Sequence, residues 1–216
     1  GTPADTSAPK ALGEVTIKAA PQGDSYTPTA TSTATKGSAP LRDVPQAVNV
    51  VPAQLLRDQG ARSMEDALRN VPADRIRMHV CWGNYEGPHT HDVPLEKLLP
   101  VVMKAKPQAI LFEAANPRHA HEWKVFRDMK SQVPDDKILV PGVLSTTTNY
   151  VEHPELVAER LENFANVVGR ERVIAGTDCG FGTFAGFGPV DPDIAWLKLG
   201  ALVEGARIAS ERLWGR

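Results

Sequence analysis

An α/β fold with a parallel sheet is predicted for residues 73–216 by three observations. Short apolar, β-branched runs at 76–81, 109–113, 137–143 and 172–178 alternate with amphipathic segments at about 94–106, 119–130, 154–168 and 192–214. Strands joined by helices make right-handed crossovers, so this order of four βα units implies strands that run parallel. Finally, residues able to ligate a metal recur where three of the runs end, the place where ligands of such sheets collect.

The elements follow from local chemistry. Pro154 opens the third helix, Val157, Leu161, Phe164 and Val168 form its apolar stripe, and Gly169 closes it. In the last helix Ala195, Leu199, Leu202, Ala206, Ala209 and Leu213 recur at spacings of four and three, which buries one face on the sheet. Pro100 is expected to interrupt the first helix.

Before residue 73 the texture differs. Residues 1–40 are rich in Ala, Thr, Ser, Pro and Gly and bury little apolar surface, the signature of a disordered tail. Within it Leu12-Gly13-Glu14-Val15-Thr16-Ile17 alternates like an edge strand able to pair with a partner. Residues 41–72 read as a compact strand–helix–helix piece. Its strand covers 44–51, Pro52 opens a helix ended by Gly60, and Ser63-Met64-Glu65-Asp66 forms a capping box with Leu68 inward.

The totals exclude several functions. With 216 residues and 42% hydrophobic residues the chain can build a real core, and a net charge of −2 offers no surface for nucleic acid. No apolar run approaches the roughly 18 residues that read as a membrane span. The chain opens on Gly1 without a signal-peptide pattern, so a processed or excerpted chain is expected.

The candidate chemistry centres on Met78-His79-Val80-Cys81-Trp82. Strand side chains alternate between faces, so the His79 ring and the Cys81 sulfur point the same way. Glu113 ends the second run, and Cys179 follows the fourth. Zinc takes such an N/S/O set tetrahedrally, and thiolate ligands favour it over magnesium or calcium. The alternative makes Cys81 and Cys179 small buried hydrophobes and Glu113 a capping or salt-bridged carboxylate. Recurrence at successive strand ends favours the metal. A bridge between the only two cysteines would compete with ligation. Other features carry less: His89 and His91 sit in a Gly-Pro loop and are expected to be solvated, His119, His121 and His153 have no evident partner, and the Gly/Phe loop at 180–188 reads as a flexible turn.

Two families are resembled. Leu41-Arg42-Asp43-Val44-Pro45-Gln46-Ala47-Val48-Asn49-Val50-Val51 and Ser63-Met64-Glu65-Asp66-Ala67-Leu68-Arg69-Asn70-Val71-Pro72 resemble the start of the plug domain of TonB-dependent siderophore receptors, and Gly13-Glu14-Val15-Thr16-Ile17 resembles their TonB box. This likeness, over about residues 10–72, implies a TonB contact through residues 12–17 and a periplasmic or outer-membrane location. Here the phrase stops at Pro72, without the remaining plug or a barrel.

His79-Val80-Cys81, Phe112-Glu113-Ala114, Pro141-Gly142-Val143 and Asp178-Cys179-Gly180 resemble the catalytic half of the cobalamin-independent methionine synthase family, with its epoxyalkane:coenzyme M transferase relatives, over about residues 75–214. The resemblance implies the C-terminal half of a TIM (β/α)8 barrel in the cytoplasm. It places His79, Cys81 and Cys179 as zinc ligands and Glu113 as the ligating carboxylate. It also implies methyl or alkyl transfer from a methyl or epoxide donor to a small thiol, as in a 5-methyltetrahydropteroyltriglutamate–homocysteine methyltransferase. The family's Asp-x-His after the Pro-Gly-Val strand is replaced here by Ser145-Thr146-Thr147. A closed barrel needs eight βα units and about 250 residues, so four units joined to a plug-like fragment read as a chimera. Its exposed sheet edges are expected to favour a homodimer.

Overall fold

The computed structural model describes residues 50–182 and 188–215. The chain divides into two compact units, Gly1–Asn70 and Val71–Arg216. The tail at 1–40, the alternating segment at 12–17 and all but the last two residues of the strand expected at 44–51 lie outside the described residues.

In the first unit, α1 (Ala53–Asp58) starts after Pro52, which takes the N-cap position. Gly60 stops it at φ +61°, a conformation glycine adopts without steric cost. The short helix α2 (Met64–Ala67) is capped by Ser63, whose side chain accepts the Asp66 N–H. Asp66 answers one residue further out than a standard capping box, accepting the Arg62 N–H at 3.1 Å.

The second unit is mixed α/β. Strands β1 (Arg77–Val80), β2 (Ala109–Phe112), β3 (Ile138–Leu144) and β4 (Gly176–Thr177) form one sheet in the order β1-β2-β3-β4, every neighbouring pair parallel. The connecting helices are α3 (Leu95–Val102), α4 (Trp123–Asp128) and α5 (Pro154–Val168), and α6 (Pro192–Trp214) follows β4.

Alternation along the strands divides the residues by role. Met78 and Val80 of β1 and Ile110 and Phe112 of β2 pack with Leu95, Leu99, Phe126, Phe164 and Val168 in the larger core cluster. Phe112, Phe126 and Phe164 meet ring to ring, with centroids 4.8–5.5 Å apart. The opposite parity, His79, Leu111 and the positions that follow, is left for the site. A second cluster joins Val143, Leu144, Val157, Leu161 and Ala209 where α5 and α6 pack. Gly205 makes that packing possible, because a Cβ there would lie 2.4 Å from the Val157 Cβ and 2.7 Å from the Pro154 carbonyl oxygen.

Strands β1 and β2 are trimmed by one or two residues against the expected 76–81 and 109–113, and three other elements are much shorter than the sequence suggests. The helix expected at 94–106 is α3, which begins after Pro94 and runs through Pro100 rather than breaking there. Only one N–H is lost, and the helix ends two residues later. The helix expected at 119–130 is α4, because residues 116–122 form tight turns around Asn116, whose carbonyl accepts the His119 and Ala120 N–H groups. The strand expected at 172–178 survives as β4 and one isolated bridge, Leu139 with Val173. A register shift is the reason: Gly142 pairs with Gly176 but Leu144 pairs with Thr177, so Val143 is an extra residue on β3. Among the described residues, no helix is long and apolar enough to cross a membrane.

Candidate metal centre

His79 projects from β1, and Cys81 stands one residue beyond its end, on the same face. Glu113 stands one residue beyond β2, and Cys179 two beyond β4. Among the described residues, one group could hold a metal ion: ligand atoms of His79, Cys81 and Cys179 lie within 4.8 Å of one another. The His79 Nε2 is 3.3 Å from the Cys179 Sγ. Both cysteines are free thiols, Cys81 exposed and Cys179 half-buried.

Glu113 borders this trio without joining the mutually close set. Its Oε1 is 3.5 Å from the Cys179 Sγ, and its Oε2 accepts the Trp82 backbone N–H at 3.0 Å. A tetrahedral ion held by sulfur at about 2.3 Å and by nitrogen or oxygen at about 2.0 Å separates its ligands by roughly 3.5 Å. The His79–Cys179 and Cys179–Glu113 spacings fit that geometry, and the donor set is of the kind that binds soft or borderline cations.

Cys179 is placed by its neighbour Asp178, which the sequence alone did not single out. The buried Asp178 carboxylate accepts the Ala114 and Ala115 N–H groups, both at 2.8 Å, and the Asn116 N–H at 3.0 Å. It thereby ties the end of β4 to the residues after β2. Burial pushes its carboxyl pKa up to about 6, against the pull of those N–H groups. Gly142 allows the approach, since a Cβ there would lie 2.5 Å from the Asp178 Cα.

Electrostatics favour the neutral forms of His79 and Cys179 before an ion arrives. Burial holds the His79 pKa below its ordinary value, more than the Glu113 charge restores. Burial, the Glu113 charge and Cys81 push the Cys179 thiol strongly upward.

His119 does have partners. Its Nδ1 faces the Glu122 Oε2 at 2.8 Å, its Nε2 faces the Asp92 Oδ2 at 3.2 Å, and its ring stacks on Trp82 with centroids 4.1 Å apart. Burial alone would depress its pKa, yet Glu122, Asp92 and Glu113 outweigh that and raise it. His89, expected to be solvated, instead pairs with Asp92 at 2.9 Å and stacks on Tyr85. His91 is exposed. His153 caps α5 by accepting the Glu155 N–H. Nothing in residue spacing announces the Asp178 and His119 contacts. Their one sequence signal is a carboxylate or imidazole set within an apolar element end, where it needs a partner.

Beside the trio lies a cavity of about 310 Å³, lined by Asn84, Tyr85, His89, Glu113, Arg118 and Thr147 among others. Asn84 knits its walls, donating to the Gly180 carbonyl at 2.9 Å and accepting the Thr146 hydroxyl at 2.6 Å. Residues 183–187 of the Gly/Phe loop lie outside the described residues.

Both resemblances named from the sequence recur among known proteins. The TonB-dependent Receptor Plug Domain family matches residues 40–87, continuing past Pro72 through β1. The probable TonB-dependent receptor BfrD of Bordetella pertussis is 51% identical over 37 residues, 17% of this chain and 5% of that protein. The uncharacterized protein YxjG of Bacillus subtilis is 24% identical over 150 residues, 69% of this chain and 39% of its own length. Among solved structures, the B12-independent methionine synthase from Shewanella sp. W3-18-1, in complex with selenomethionine, aligns at a TM-score of 0.53 and 21% identity. That alignment covers 74% of this chain and 46% of the synthase, and it establishes likeness of fold. The chain thus spans less than half the length of each of these relatives.

Proposed function

We propose that residues 75–214 form a zinc-binding half-barrel of the cobalamin-independent methionine synthase type, whose chemistry is methyl or alkyl transfer to a small thiol. The observation that carries this reading is the convergence of His79, Cys81 and Cys179 within 4.8 Å. The donor set also fits. Two thiolates and an imidazole favour zinc over the hard cations, and Glu113 beside Cys179 is the ligand most easily exchanged for an incoming thiol.

Zinc bound there would supply the charge that keeps a substrate thiol deprotonated yet nucleophilic. The remaining work falls to the chain. His79, Cys81 and Cys179 would hold the ion, and Asp178 and Gly142 fix where Cys179 can stand. Glu113 would offer the ion its Oε1, beside Cys179, while its Oε2 stays on the Trp82 N–H. The adjoining cavity offers room for the methyl or epoxide donor, with Arg118 at its wall. Ser145-Thr146-Thr147 stands where the methionine synthases place their Asp-x-His, and the Thr146 hydroxyl is committed to Asn84. No imidazole serves as a proton carrier at that position, which favours thiol alkylation in general over methionine synthesis in particular.

A cobalt-loaded sample titrated with small thiols tests the assignment: a growing sulfur-to-cobalt charge-transfer band supports it, and a spectrum unchanged by thiol overturns it. We further propose that the half-sheet pairs with a second copy through its open edges, and that this part works in the cytoplasm.

The plug-family match over residues 40–87 supports a second reading for the N-terminal segment, as a plug-like fragment of separate ancestry. We propose that it contacts TonB through residues 12–17, ahead of the matched span. Retention on the periplasmic domain of TonB, lost when residues 12–17 are deleted, is the expected result. No retention would leave that segment without this role.

A further inference from the structure

Around His119 the structure gathers three carboxylates, the Trp82 ring and a loop; of these only Glu113 also belongs to the proposed metal site. The ring is almost fully buried and stacked on Trp82. One nitrogen faces Glu122, whose other oxygen accepts the Leu95 N–H at 3.2 Å and so anchors the start of α3. The second nitrogen faces Asp92 at 3.2 Å and stands 3.9 Å from the Glu113 Oε2. Asp92 in turn holds the His89 Nδ1 at 2.9 Å, and the His89 Nε2 reaches the Tyr85 carbonyl. Trp82 joins both sides: its backbone N–H donates to Glu113 and its indole N–H to the Val93 carbonyl at 2.7 Å.

We infer that His119 is a positioning residue that fixes the Glu113 carboxylate with Oε1 toward Cys179 and locks the loop 83–93, part of which lines the adjoining cavity, to that same carboxylate. The physical reason is that Glu113 is buried and has two oxygens with different tasks. Left free, its carboxylate would rotate, and the oxygen beside Cys179 would lose its direction. The Trp82 N–H donates to Oε2 and the His119 ring stands 3.9 Å from it, so rotation would break the Trp82 hydrogen bond and carry the charge away from the imidazole. Partners of this kind orient the groups that touch a metal and alter its affinity when removed. The loop enters through the same ring, since Asp92 is shared by His119 and His89. His89 itself is held at φ +49°, a left-handed conformation unusual for a residue with a side chain, which such fixed partners can maintain.

Only part of this inference rests on the proposed metal site, so the test has two arms. In metal-free full-length protein, His119→Phe keeps the stack on Trp82 but removes both ring nitrogens. Amide hydrogen exchange should accelerate at least tenfold at Trp82 and across the loop 83–93, while β3 and α5 stay protected. Unchanged exchange at Trp82 and in the loop overturns the inference whether or not the protein binds metal. In cobalt-loaded protein, His119→Phe should retain one ion but alter the d–d spectrum and weaken binding about tenfold, within the usual range for such partners. Adding Glu113→Gln should then change little more, because the carboxylate is already misdirected. Strictly additive effects would overturn the link to Glu113. Wild-type protein that takes up no cobalt would sink the metal reading alone, leaving the exchange arm to decide. Should His119→Phe fail to fold, Asp92→Asn releases the loop from the same ring, and an unaltered loop exchange there would likewise overturn the proposal.

Discussion

The His79 Nε2 and the Cys179 Sγ meet at 3.3 Å although their strands, β1 and β4, form opposite edges of the sheet. Three strand spacings of about 4.8 Å would separate those edges by roughly 14 Å in a flat sheet. The sheet must therefore curl toward the face that carries His79 and Cys81, and the extra residue at Val143 is where β4 departs from regular pairing. The curl and the site are one feature, which makes the residues that permit the bend as consequential as the ligands.

Gly142→Ala tests that link. The new methyl would stand 2.4 Å from the Asp178 Oδ1 and 2.5–2.6 Å from its Cα and backbone N, and no rotamer change relieves the last two. The expected cost is about 1–3 kcal/mol in denaturant unfolding, the usual range for overpacking, with a larger proportional loss of metal affinity. An alanine variant of wild-type affinity would show that Asp178 does not set the place of Cys179.

Metal affinity should rise with pH. His79, with its pKa depressed, is neutral at pH 7 and gives up no proton on binding. Cys179, with its pKa raised, is a thiol there and must lose one. Each proton displaced makes the apparent association constant climb about tenfold per pH unit below the thiol pKa. Isothermal titration in buffers of different ionisation enthalpy measures the protons released. A count of zero, or an affinity that falls between pH 6 and 8, would contradict thiol ligation.

Lys198, fully buried, and Glu152, whose side chain is largely buried, form an ion pair at 2.7 Å behind the loop that follows β3. Glu152 also accepts the Ser145 N–H at 2.8 Å, and Lys198 donates to the Tyr150 carbonyl, so the pair holds residues 145–152 in place. Lys198→Met would leave a buried carboxylate alone, at a cost of about 3–5 kcal/mol, whereas Lys198→Met with Glu152→Gln should recover a good part of it. Urea unfolding of the two variants compares them. Additive losses would mean the two charges are not coupled.

The convergence of the candidate ligands was legible because period-two alternation is a local rule: His79 and Cys81 must share a face wherever β1 goes, and Glu113 and Cys179 close similar apolar runs. Parallel order followed from the helices between the strands. What the sequence did not disclose depends on register and on backbone partners. Asp178 matters because β4 brings it against the N–H groups of Ala114, Ala115 and Asn116, more than sixty residues away. His119 matters because its turn lies under Trp82 and against Asp92. The shortened β4 arises from an unpaired residue on a different strand, which no pattern within 172–178 could reveal.

The most direct measurement is the zinc content of purified protein and of three variants, by mass spectrometry of the metal after exhaustive dialysis at neutral pH. Wild-type protein should carry close to one zinc per chain, Glu113→Gln should keep most of it, and Cys81→Ser should lose much of it. The double variant Cys81→Ser/Cys179→Ser should carry none. Wild-type protein without zinc, or a double variant with as much zinc as wild type, would contradict the account.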